Sequence, residues 1–89
     1  MTSGTVIIVN RLGLHARAAT SLVNCASGFS SEVRVIKGVR AVNGKSIMGV
    51  LTLAAAIGTE LTIETEGEDE KQAFDAICAL FRDRFGESE

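Results

Sequence analysis

Two apolar periodicities alternate along this chain, and that alternation constrains the fold more than any other feature of the sequence. Glu32-Val33-Arg34-Val35 and Glu60-Leu61-Thr62-Ile63-Glu64 repeat polar and apolar residues every second position, the pattern of strands with one face buried and one wet. Ala18, Ala19, Leu22, Val23 and Ala26 recur instead at helical spacing from Ala16 onward, with Gly28 as a stop before Phe29. Strands wet on one side require that the helices cover the other side only.

The remaining segments fall into the same scheme. Thr5-Val6-Ile7-Ile8-Val9-Asn10 is a β-branched run that reads as a strand, broken at Asn10-Arg11-Leu12-Gly13. Lys37-Gly38 turns the strand Glu32–Ile36 into a short partner around Arg40-Ala41-Val42-Asn43, a hairpin, and Asn43-Gly44 breaks it again. Ile47, Val50, Leu51 and Ala54 mark a short second helix weakened by Gly49, with Gly58 near its end. In the last segment Asp69 is placed to cap and Gln72 to reach back, ahead of a stripe of Phe74, Ile77, Phe81 and Phe85 that reads as core. The order strand-helix-strand-strand-helix-strand-helix predicts an α+β, two-layer domain: a four-stranded antiparallel sheet with three helices on one face. The acidic run Glu66-Gly67-Glu68-Asp69-Glu70 reads as a solvated turn, and Glu87-Ser88-Glu89 as a frayed tail.

Composition narrows the function. Eighty-nine residues, 46% of them hydrophobic, predict a single domain over residues 1–89. A net charge of −2 argues against non-specific nucleic-acid binding. The aromatics are all phenylalanine, with Phe29 in a loop and Phe74, Phe81 and Phe85 on the last helix, so none is offered to bases on the predicted open sheet face. No stretch is long enough to insert in a membrane, and Met1-Thr2-Ser3-Gly4 does not open a secretory signal, so a cytoplasmic protein is expected. Cys25 and Cys78 lack zinc or redox spacing and read as small hydrophobes. No metal constellation and no nucleotide-phosphate loop is present, and no cofactor is expected.

His15, the sole histidine, stands where a loop meets the first helix, two residues before Arg17. A helix N-terminus offers unpaired N–H groups and partial positive charge, which bind phosphate and disfavour a further proton on a nearby imidazole. A neutral imidazole is a nucleophile, and the same N–H groups with Arg17 can hold the charge of a phosphoryl group it accepts. Spacing alone leaves a plainer reading in front: a helix-capping histidine and a solvated arginine.

Gly13-Leu14-His15-Ala16-Arg17-Ala18-Ala19 resembles the active-site segment of the HPr family, the histidine-containing phosphocarriers of the bacterial phosphotransferase system. Lys45-Ser46-Ile47-Met48-Gly49-Val50 resembles that family's second signature, at the family's relative spacing. The likeness runs from the first strand to Phe85-Gly86-Glu87 and implies the family's open-faced β-sandwich. It also implies a relay in which enzyme I, charged from phosphoenolpyruvate, phosphorylates His15 on Nδ1, Arg17 steadies the phosphoryl group, and a histidine of an enzyme IIA protein or domain receives it. Such a carrier is a substrate of both partners and turns over nothing alone. Many family members carry proline directly after the arginine, where this chain has Ala18; alanine keeps good helix propensity, so transfer is expected to survive.

Ser46 precedes the second helix, where its plain role is an N-cap hydroxyl. The resemblance adds regulatory phosphorylation by an HPr kinase/phosphorylase. A phosphate there suits the helix N-terminus and sets negative charge beside the surface that docks enzyme I. The resemblance also implies an apolar docking patch from Ala16, Thr20, Ile47, Met48 and Leu51, Met being adaptable to several partners, with Lys45 and Arg17 as a basic rim. A nitrogen-related regulatory carrier and a paralogue acting only through Ser46 are the alternatives; the motif around Ser46 weighs against the first, and retention of both His15 and Arg17 against the second.

Overall fold

The computed structural model describes residues 1–88; Glu89, assigned above to a frayed end, lies outside the described residues. The elements are β1 (Thr2–Ile7), α1 (Ala16–Ser27), β2 (Glu32–Lys37), β3 (Arg40–Asn43), α2 (Ile47–Leu51), β4 (Glu60–Glu66) and α3 (Glu70–Arg82), followed by a 3₁₀ turn over Arg84–Gly86. One antiparallel sheet runs in the order β1-β4-β2-β3. The two-layer α+β architecture expected from the alternation is therefore present.

The alternation sets which face is buried. Val33 and Val35 of β2 and Leu61, Ile63 and Thr65 of β4 point to the helical layer and are buried there with Leu22, Ile77 and Phe81. Burying each large apolar side chain contributes roughly 1.5–3 kcal/mol. On the opposite face Arg34 stands beside its cross-strand partner Glu64, with its guanidinium 3.1 Å from that carboxylate and 3.6 Å from Glu66. Lys37 pairs with Arg40 across the two-residue turn Gly38-Val39, and Gly38 takes the positive φ of 61° that a tight hairpin demands at its first central position.

The details depart from expectation in several places. β1 begins at Thr2 rather than Thr5 and ends at Ile7, because its register on β4 runs from Thr2 opposite Thr65 to Ile7 opposite Glu60. Helix α2 stops at Leu51; Ala54, expected within it, has a left-handed φ of 49° and turns the chain away. Asp69 stands at the start of α3 without capping it, and Gln72 is exposed on the helix rather than folded back. Asp69 instead accepts the N–H groups of Ser30 and Ser31 at 3.0 and 2.9 Å, and Glu70 accepts the Gly67 N–H and the Thr2 hydroxyl. The acidic turn is thus a fastening point and not merely a solvated one. Phe85 has left α3 for the 3₁₀ turn, yet it remains buried, with its ring 4.9 Å from that of Phe81. Cys25 and Cys78 are free and half-buried, and burial pushes both thiols up.

Candidate functional site

The approach to His15 is shaped by one glycine. Gly13 has a φ of 67°, and a Cβ there would fall 2.5 Å from the Ala55 carbonyl oxygen, so only glycine lets the loop pass this close. The next residue uses that approach: the Leu14 N–H donates to the same carbonyl at 2.9 Å, and the Leu14 side chain is buried. On the other side Lys37 Nζ donates to the Leu53 carbonyl at 3.0 Å, which ties the segment after α2 to the end of β2. The loop that presents His15 therefore leans on a braced neighbour.

His15 is the N-cap of α1, with extended backbone (φ −76°, ψ 179°), and its own carbonyl accepts the Ala19 N–H at 2.8 Å. Its Nδ1 accepts the Arg17 N–H at 3.4 Å, so the ring points one lone pair at the orphan donors of the helix start. With Nδ1 an acceptor, the proton of the neutral ring sits on Nε2, and there it is donated to the Glu87 carboxylate. Glu87 is held in turn by Asn10, whose Nδ2 donates to Glu87 Oε1 at 3.0 Å and to the Gly13 carbonyl at 2.8 Å. Asn10 and then His15 keep the Glu87 carboxyl below the ordinary glutamate range. Arg11, Leu12, Ala16, Arg17, Gly86 and Ser88 line the rest of an open cleft around the ring. An imidazole so placed offers Nδ1 as a nucleophile beside N–H groups that favour an incoming anion.

Of the residues singled out in the sequence, Ala16, Arg17 and Thr20 are exposed on the first turns of α1, and the Thr20 hydroxyl donates back to the Ala16 carbonyl. Ser46 caps α2 as its position predicts, with Oγ accepting the Gly49 N–H at 3.1 Å. Ile47 and Met48 follow it at 41% and 71% exposure, Leu51 is half-buried, and α1 and α2 pack against each other. Lys45 is half-buried and its ammonium donates to the Phe29 carbonyl at 2.7 Å, so it braces the loop after α1. Glu87, read as tail, is instead in the site with its side chain only 13% exposed. Asn10, read as a strand breaker, is fully buried behind it. Leu12, 65% exposed at the cleft, is a third residue the motifs did not mark. No metal-binding cluster of side chains occurs among the described residues, and no helix among them is long and apolar enough to cross a membrane.

Fold and site together define a small α+β protein that holds one half-buried imidazole at the start of a helix, beside an open cleft. The family model described as "PTS HPr component phosphorylation site" matches residues 2–83, and the chain belongs to this family of phosphotransferase-system phosphocarriers. It is 52% identical over 82 residues to the phosphocarrier protein HPr of Cupriavidus necator, covering 92% of each chain. The phosphocarrier protein NPr of Shewanella violacea is 42% identical over 93% of this chain and 91% of its own. A solved HPr of Thermoanaerobacter tengcongensis superposes with a TM-score of 0.97 at 42% identity, over the whole of both chains.

Proposed function

We propose that this chain takes a phosphoryl group from phosphorylated enzyme I onto Nδ1 of His15 and hands it to a histidine of an enzyme IIA protein or domain, in sugar uptake or its regulation. The observation that carries the reading is the pair of contacts on the His15 ring: Nδ1 faces the Arg17 N–H at the start of the helix while Nε2 faces the Glu87 carboxylate. Arg17, exposed at the mouth of the cleft, steadies the transferred group. The chain acts in the cytoplasm as a substrate of both partners and catalyses no turnover alone. Ala16, Thr20, Ile47, Met48 and Leu51 form the docking surface, supported by the exposure of Ile47 and Met48 beside α1. Lys45 contributes to its rim.

Ser46 is a regulatory site for an HPr kinase/phosphorylase, supported by its position as the α2 cap next to Ile47 and Met48. The likeness to an NPr keeps a nitrogen-branch carrier as the second reading, separated from the first by which enzyme IIA accepts the group. Incubation with enzyme I and phosphoenolpyruvate, followed by intact mass measurement, tests the carrier role. One acid-labile phosphoryl addition is expected, absent in His15→Ala; a wild type left unmodified beside an active enzyme I control would sink it.

A further inference from the structure

The closing segment of the chain is built to deliver one carboxylate. Arg84, Phe85 and Gly86 take left-handed φ values of 55°, 56° and 79° in succession, a path that non-glycine residues hold only when their surroundings enforce it. Burial of Phe85 against Phe81 enforces it here, and Glu87 emerges beside His15. Asn10 then takes one carboxylate oxygen, Oε1, and leaves Oε2 for the Nε2–H of the ring. The other charged groups lining the cleft are Arg11 and Arg17, both cations, and the ring also faces the positive end of α1. Among the described residues of the cleft, Glu87 is thus the one anion, and it sits at Nε2.

We propose that Glu87 is a positioning residue whose carboxylate keeps the proton on Nε2 of His15 before, during and after phosphorylation of Nδ1. The proposal rests on the reading of His15 as phosphoryl acceptor and adds how the acceptor becomes a good donor. The Nδ1 lone pair forms the bond to phosphorus, the bond between phosphorus and the donor's nitrogen breaks, and that electron pair returns to the donor. No proton leaves His15. The phosphorylated ring, carrying Nε2–H, is an imidazolium whose positive charge faces Glu87. Onward transfer breaks the Nδ1–phosphorus bond with its pair returning to Nδ1, and the product is a neutral imidazole. Had Nε2 lost its proton first, the leaving group would be an imidazolate, far more basic and slower to depart. A carboxylate that fixes one ring nitrogen while the other does the chemistry is the logic of the serine-protease aspartate, applied to a phosphoryl carrier.

The test uses the full chain with ¹⁵N-labelled histidine, phosphorylated chemically with potassium phosphoramidate so that it does not depend on enzyme I. Nitrogen chemical shifts followed against pH report where the phosphorylated ring loses its Nε2 proton. Wild type is expected to keep it to about one pH unit higher than Glu87→Ala, a tenfold difference in proton affinity. Glu87→Gln retains an oxygen for Asn10 and loses the charge, and is expected to follow the alanine variant. Coincident midpoints for wild type and Glu87→Ala, or a glutamine variant that titrates as wild type, would overturn the proposal. A failure of enzyme I to label His15 counts against the carrier reading alone, and the titration still decides the role of Glu87.

Discussion

Asp69, at the head of α3, holds Ser31, at the entry to β2, through two bonds at once: it accepts the Ser31 N–H at 2.9 Å and the Ser31 hydroxyl at 2.5 Å. With the Ser30 N–H added, the carboxylate fastens the loop after α1 to the last helix.

That fastening carries a pH signature. The Ser31 hydroxyl foremost, then the backbone N–H groups, hold the Asp69 carboxyl down at about 2. A folded-state value below the unfolded one means that the stabilisation is complete above the ordinary aspartate range and is lost as pH falls toward about 2. Urea unfolding of wild type and Asp69→Asn is expected to show a stability difference that is level at neutral pH and shrinks below about pH 4. A difference independent of pH across that window would show that the charge of Asp69 does not matter.

Gly13→Ala should be costly for its size. A methyl at this left-handed position meets the Ala55 carbonyl, and the loop must retreat from it. A loss of about 2 kcal/mol is expected, together with faster hydrogen exchange at the Leu14 amide, whose bond to Ala55 depends on the close approach. Unchanged exchange at Leu14 would mean that the loop accommodates the methyl without moving.

Ser46 separates two roles by two substitutions. Ser46→Ala removes the acceptor for the Gly49 N–H and is expected to cost about 1 kcal/mol in chemical denaturation. Ser46→Asp keeps a capping oxygen, so the fold is expected to hold while phosphorylation by enzyme I slows through the charge placed beside Ile47 and Met48. An aspartate variant phosphorylated as fast as wild type would remove the regulatory role from Ser46.

Phe85→Ala tests whether the chain's closing turn is held by its core residue. Loss of the buried ring is expected to cost roughly 3 kcal/mol, and with the anchor gone Glu87 should part from His15. The Nε2–H proton of His15, expected to be protected in wild type by the Glu87 carboxylate, would then exchange rapidly with water in proton NMR. Persistence of that proton in the variant would place the anchor in Asn10 rather than in Phe85.

The legible parts of this molecule were those written in local periodicity. Val33, Val35, Leu61 and Ile63 are buried where alternation puts them, and Ala18, Ala19, Leu22, Val23 and Ala26 line the buried side of α1 at helical spacing. His15 and Ser46 stand at helix starts as their neighbours imply. Phe85 shows the limit of such reasoning: its spacing from Phe81 told correctly that it is buried and wrongly that it is helical, since the same burial is reached here on a left-handed backbone over Arg84–Gly86. Glu87 reaches His15 from 72 residues away, and Asp69 reaches Ser31 from 38. Polar pairings of that range leave no periodic trace; an acid near a chain end reads the same in sequence whether it frays or docks.

The strand order has a consequence for synthesis on the ribosome. β4 lies between β1 and β2, so the two strands made earlier have no contact with each other except through one made later. Until Glu60–Glu66 has emerged, β1 has nowhere to pair and only the β2–β3 hairpin can form within the sheet. Such non-local pairing delays folding until most of the chain is available. His15, near the start of the chain, therefore has its finished surroundings only once Glu87, 72 residues later, has been made.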